Sequence, residues 1–213
     1  MRDQDVTVAT VAERQGVADW LISLDEATLQ APSLCAEWNV RTVGAHLAVA
    51  VTAGLPTFLG QALRHRGLHR SNDVMARAFA QRPVPEIADT LRANAQRRLT
   101  NPGAGPLGPL ADVLVHVGDM RRPLGLTHSP KSDRVLAVLS FLTSGRAFGF
   151  VRRRDLAGLR LVATDADFTW GSGEQIRGRA ADLMMAVCGR TAVLSDLDGP
   201  GVEVLRARRP PTP

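Results

Sequence analysis

Tyrosine is missing from this 213-residue chain, and lysine is nearly so. Lys131 stands alone, leaving 25 of the 26 basic residues as arginine. With abundant Ala, Gly and Pro, that bias fits a genome rich in G and C. It also removes the net charge of +5 as a clue to function. The arginines are scattered among 21 acidic residues, whereas a nucleic-acid surface concentrates its cations on one face or arm. No compact helix-turn-helix pattern is present either. A DNA-binding role would need a steeply salt-dependent affinity for duplex, and no nucleic-acid partner is expected.

Cysteine is scarce as well. Cys35 and Cys188 lie far apart without a CxxC partner, so neither a disulfide framework nor a cysteine zinc site follows, and both are expected to be buried or half-buried reduced thiols. No apolar run approaches the roughly 20 residues that cross a bilayer, and MRDQDVTVAT has no signal-peptide apolar segment. The expected compartment is the cytoplasm, with no membrane partner. What is present, 45% hydrophobic and 22% charged residues, is the composition of an ordinary folded protein with a substantial core.

The first half reads as helices. Val8, Val11, Val17, Trp20 and Leu21 fall near helical spacing over residues 5–25. Asn39 is the expected N-cap of a second helix, from Val40 to about Leu63, with Val43, His46, Leu47 and Ala50 on one stripe. A basic connector, RHRGLHRSND, leads to a short helix near 72–80, and a further helix is expected from Pro85 to Leu99. The cluster NPGAGPLGP then breaks the chain and launches a helix carrying Asp112 and His116. This order suggests a four-helix bundle. After Gly125 the pattern changes. We expect one apolar helix over 131–150, strands around a turn in LRLVATDADFTWG, a helix in RGRAADLMMAVCGR, a terminal strand in VEVLRA and a frayed end. The fold class is therefore α+β, with a helical bundle over 1–128, a small mixed α/β domain over 129–208 and a disordered tail over 209–213.

Asp112 and His116, four residues apart in an apolar context, share one helix face a turn apart, as two ligands of one metal ion would. His46, from another helix, is the candidate third ligand. The plainer reading is that Asp112 only hydrogen-bonds His116 or stabilises the helix dipole, and that His46 is a hydrogen-bonded core residue. Asp119 lies on nearly the same stripe. It could ligate, orient a ligand from behind, or pair with Arg121, Arg122 or an arginine of the tail. His65, His69 and His128 sit in connectors and are expected at the surface.

The segment PSLCAEWNVRTVGAHLAVA, with Trp38 ahead of the helix that carries His46, resembles the opening signature of the mycothiol-dependent maleylpyruvate isomerase family, within the DinB-like metal-binding helical bundles. ADVLVHVGDMRRPLG resembles its second signature, and IRGRAADLMMAVCGR with GVEVLRA its C-terminal part. The resemblance implies a metal site of His46, Asp112 and His116, although the characterised pattern has Glu where this chain has Asp112. It implies a divalent ion, zinc or else nickel or another, and mycothiol as thiol cosubstrate. Actinobacteria make mycothiol, and many have G+C-rich genomes, in keeping with the composition. The implied activity is isomerisation of, or thiol transfer to, a small electrophile, with no catalytic side chain beyond the metal-activated thiol. Arg121, Arg122 and Arg190 are natural partners for a substrate carboxylate. The competing reading is a non-catalytic, metal-stabilised ligand-binding bundle.

Overall fold

The computed structural model describes residues 1–52, 68–97 and 105–209. Helix α1 (Asp3–Ser23) starts with Asp3 and Asp5 in its first turn, where carboxylates oppose the positive end of the helix dipole. It buries Val6, Ala9, Thr10, Arg14, Val17, Ala18 and Leu21, a repeat of three and four residues that makes one inward face. A short helix, α2 (Glu26–Gln30), is capped by Asp25, whose side chain accepts from the Thr28 amide at 2.8 Å.

Asn39 opens α3 (Val40–Thr52) as expected, its Oδ1 accepting from the Thr42 amide at 2.8 Å and the Thr42 hydroxyl at 2.7 Å. The expected continuation of this helix to Leu63 lies outside the described residues. Helix α4 (Leu68–Phe79) begins earlier than the expected residue 72. Helix α5 (Val84–Ala93) stops well short of Leu99. Its end has local causes. The Asn94 side chain donates to the Thr90 carbonyl at 2.8 Å, and the buried Arg14 guanidinium reaches across from α1 to the carbonyls of Ala95 (2.8 Å) and Arg97 (2.9 Å). Helix α6 (Leu107–Arg121) carries Asp112, His116 and Asp119. Helix α1 packs on α5 and α6, while α3 packs on α4, α5 and α6. None of the described helices is long and apolar enough to cross a membrane.

Helix α7 (Ser132–Thr143) ends seven residues before the expected residue 150, because the Ser144 hydroxyl caps the Phe141 carbonyl and Gly145 turns left-handed at φ +81°. It packs on α6 and α8. Three strands follow, β1 (Leu159–Ala163), β2 (Thr169–Gly171) and β3 (Glu174–Gly178). They form one sheet in the order β2-β1-β3, antiparallel between β1 and β2 and parallel between β1 and β3. Leu161 pairs with Trp170 on one side and Ile176 on the other, and Leu159, Leu161 and Ile176 are buried. Helix α8 (Ala180–Val187) is buried along its whole length.

The terminal segment corrects an expectation. VEVLRA lies in a helix, α9 (Gly201–Arg208), not a strand. Val202 and Leu205 are buried at helical spacing, and residues this short and apolar satisfy both periods until the partner surface decides. Arg209 is the last described residue, and the rest of the expected tail lies outside the described residues. Arg209 is buried, and its guanidinium donates to Asp155 Oδ2 (2.9 Å) and to the carbonyls of Ala186 (2.7 Å) and Val187 (2.9 Å) at the end of α8. One continuous apolar core runs from Val6 and Leu21 through Leu110 and Leu114 to Leu183 and Leu205. The fold is thus a helical bundle followed by a small mixed sheet with its own helices, all sharing that core.

Candidate metal centre

Helix α3 brings His46 to the inner face of α6, where Asp112 and His116 stand one turn apart. One ligand atom from each lies within 4.8 Å of the other two. His46 Nε2 is 3.9 Å, and His116 Nε2 3.6 Å, from Asp112 Oδ1. The imidazoles meet edge to face, with centroids 4.8 Å apart at 76°. Trp38 packs against the other side of His46, at 5.2 Å between centroids. Its indole is anchored by an Nε1–H bond to Asp73 Oδ1 (2.7 Å), and Asp73 is itself held by Arg77. Asp112 is one methylene shorter than Glu, yet its carboxylate reaches both rings.

Behind His116 lies a second layer. Asp119 is fully buried, and its Oδ2 sits 2.9 Å from His116 Nδ1. The same carboxylate accepts two bonds from Arg190, Nε to Oδ1 at 2.9 Å and Nη2 to Oδ2 at 2.6 Å, and a third from the Cys35 thiol at 3.1 Å. A proton on His116 Nδ1 faces Asp119, which leaves Nε2 to face Asp112 and His46. This is the arrangement by which an outer carboxylate fixes the tautomer and raises the basicity of a metal-binding imidazole. Cys35, His116 and Asp119 also lie close enough to hold an ion. The Arg190 guanidinium already occupies both Asp119 oxygens, so a second cation there would face an unscreened positive charge.

The charges follow from these neighbours. Burial alone would raise the Asp112 pKa, but the nearby His46 and His116 imidazoles and the Arg14 charge outweigh it and hold the group at about 2. Burial disfavours a charged His116, yet Asp119, Cys35 and Asp112 raise it to about 10. Asp119 stays ionised against its burial chiefly through Arg190, and Arg190 is in turn held charged by Asp119. Asp112 and Asp119 are thus both ionised, and a divalent ion would bind by displacing the proton that these carboxylates favour on His116 Nε2.

The remaining candidates are placed differently. Arg190 reaches the site through Asp119 as a tail arginine. Arg122 bonds Asp182 Oδ1 at 2.9 Å and pairs with Asp196, tying α6 to the C-terminal region. The Arg121 guanidinium lies over the Trp20 ring, 5.6 Å from its centroid. Neither of these two contacts the three converging groups. His128, expected at the surface, is buried, and its Nε2 has no hydrogen-bond partner. Burial, with the nearby charges of Arg121 and Arg122, lowers it to about 4. His65 and the side chain of His69 lie outside the described residues. The sequence marks Cys35 only as an ordinary thiol. Its position three residues before Trp38, inside the segment that shapes the entry to α3, was the sole signal of its place in the site.

The sequence profile of the mycothiol maleylpyruvate isomerase N-terminal domain matches residues 10–131, which include every group of the centre except Arg190. The chain belongs to this family. The structure agrees in fold with a crystal structure of the mycothiol-dependent maleylpyruvate isomerase. The TM-score is 0.59 at 14% identity, over 99% of this chain and 97% of that one. A mutant of that isomerase with one histidine replaced by alanine aligns over the same shares, with TM-score 0.58 and 14% identity. No curated protein sequence matches. The likeness in fold extends beyond the matched N-terminal part to the sheet and helices that deliver Arg190.

Proposed function

We propose that the protein is a divalent-metal-dependent enzyme that uses a low-molecular-weight thiol, mycothiol, on a small electrophilic substrate, with His46, Asp112 and His116 as the metal ligands. The observation that carries this reading is the convergence of His46 Nε2, Asp112 Oδ1 and His116 Nε2, with Asp119 fixing the tautomer from behind. Ligands bound at the usual ~2.0–2.2 Å around a tetrahedral ion stand roughly 3.3–3.6 Å apart. The separations of 3.6 and 3.9 Å need only small side-chain rotations to meet that requirement. Two nitrogens and one carboxylate suit zinc, and they also admit nickel or another divalent ion. Such a set, with positions left for exogenous ligands, is the catalytic pattern rather than the structural one.

A divalent ion held there supplies Lewis acidity, favouring the thiolate form of a bound thiol. The chain's own groups do the rest. Asp119 holds the proton on His116 Nδ1, and Arg190 keeps Asp119 ionised in a place where burial opposes charge. Trp38, fixed by Asp73, walls His46 and leaves its Nε2 facing Asp112. Residues 1–128 form the metal-holding unit, and the region 129–208 completes it by delivering Arg190. Because Arg190 and Arg122 are committed to internal carboxylates, a substrate carboxylate would have to share Arg190 with Asp119 or meet Arg121.

The test is incubation of the metal-loaded protein with mycothiol and a panel of electrophiles that includes maleylpyruvate. Isomers or thioether adducts that disappear when the metal is removed support the reading. Metal binding without turnover anywhere in the panel would instead mark a non-catalytic ligand-binding bundle.

A further inference from the structure

Where α7 ends, the chain turns through 144–156 and encloses a cleft of about 500 Å³ that shares no residue with the metal centre. That size falls within the ~300–1,000 Å³ of small-molecule sites. Its walls are apolar and aromatic, built from Leu142, Phe148, Phe150, Leu156 and Trp170. Phe150 is locked edge to face against Phe141, with centroids 5.9 Å apart. Phe148 stands at the rim, 86% exposed, where a large apolar ring gains by being covered.

The charge around the cleft is one-sided. Arg146, Arg152, Arg153 and Arg154 fall within this segment, and Asp155 is its single acidic residue. Asp155 is already taken. Its Oδ2 accepts from Arg152 at 3.1 Å and from the buried Arg209 at 2.9 Å, and Arg154 stands 3.9 Å from Oδ1. Arg153 lines the cleft and folds over Gly145, where a Cβ would lie 3.4 Å from its Nη1. It has no carboxylate within 4 Å among the described residues. An exposed guanidinium without a carboxylate partner, beside aromatic walls, suits a small aromatic ring carrying a carboxylate on a short arm.

We propose that this cleft is a second ligand site, separate from the metal centre, that binds a small aromatic carboxylate with its ring against Phe150 and Trp170 and its carboxylate on Arg153. The test is titration of the metal-loaded protein with 3-phenylpropanoate by calorimetry, using 3-phenylpropanamide as the uncharged control. The acid should bind at one site per chain, and the amide at least about tenfold more weakly, since a hydrogen bond to a charged group is lost. Arg153→Gln should weaken the acid by the same factor, Arg153→Lys should retain part of the affinity, and the variant's unchanged melting curve would show that folding is intact. In the double variant His46→Ala, His116→Ala the acid should still bind. Equal affinity for acid and amide, full affinity in Arg153→Gln, or binding that vanishes with the two histidines and survives in Arg153→Gln would each overturn the proposal. The last result would place the carboxylate at the metal centre instead.

Discussion

Asp119 takes bonds from His116, Cys35 and two nitrogens of Arg190 while wholly enclosed, so its charge is balanced by position rather than by water. Asp119→Asn keeps the shape but weakens the hold on His116. It should reduce metal affinity about 10- to 100-fold, measured by competition with a chromogenic chelator, and unchanged affinity would remove Asp119 from the site. His128 sets a pH effect of its own. Its neighbours are Arg121, Arg122, Arg179 and Asp119, and it titrates near 4 in the fold against 6.5 in an unfolded chain. Between those values the unfolded state binds the extra proton. Stability therefore falls as pH drops from 6.5 to 4, by roughly 2–3 kcal/mol, and is unaffected by this group above 6.5. Denaturant melts across that range should show the loss, and His128→Leu should flatten it. That Asp112 and His116 share one face was legible in the sequence because helical spacing dictates it, whereas His46, on another helix, could be read only as an inward residue. The place of Cys35 and the burial of His128 were not legible, because both depend on how irregular segments pack against helices distant in sequence.

Helix α6 meets α8 at Gly118, where a Cβ would fall 2.6 Å from Met185 Sδ and 3.0 Å from His128 Cδ2. The Met185 tip can swing aside, whereas the buried His128 ring has less room. Gly118→Ala should cost about 1–3 kcal/mol in a urea melt and loosen the metal centre on either side of it. At the other end, Arg209 clasps Asp155 and the last carbonyls of α8, so Arg209→Ala should cost about 2–4 kcal/mol by leaving buried acceptors unmet. Helix α3 was legible from its stripe and from the Asn39 cap, and α1 as a helix, although Val8 of its expected stripe is exposed and Val6, Ala9 and Ala18 face inward instead. The ends of α5 and α7 were not legible, since side chains of Arg14, Asn94 and Ser144 set them through contacts that periodicity does not encode. The short segment of α9 was read with the wrong period for the same reason. Two apolar residues three apart fit a helix face only once there is a surface to cover.

Across the whole molecule the apolar core is continuous from α1 to α9, and the C-terminal region also delivers Arg190 to Asp119. Heating should therefore give a single calorimetric transition. A fragment of residues 1–128, deprived of α7 and α8 against α6, should lack a cooperative melt. Two separate transitions would show that the bundle and the sheet region fold independently. The class of fold and the order of its parts could be read from composition and pattern, but the union of the two regions into one core could not, because it is made by pairings distant in sequence. The central claim is that the bundle holds a metal ion between α3 and α6, and metal content tests it most directly. Purified protein analysed by inductively coupled plasma mass spectrometry should carry about one divalent ion per chain. The double variant His46→Ala, His116→Ala, folded by circular dichroism, should carry none. Undiminished metal in that variant would contradict the account.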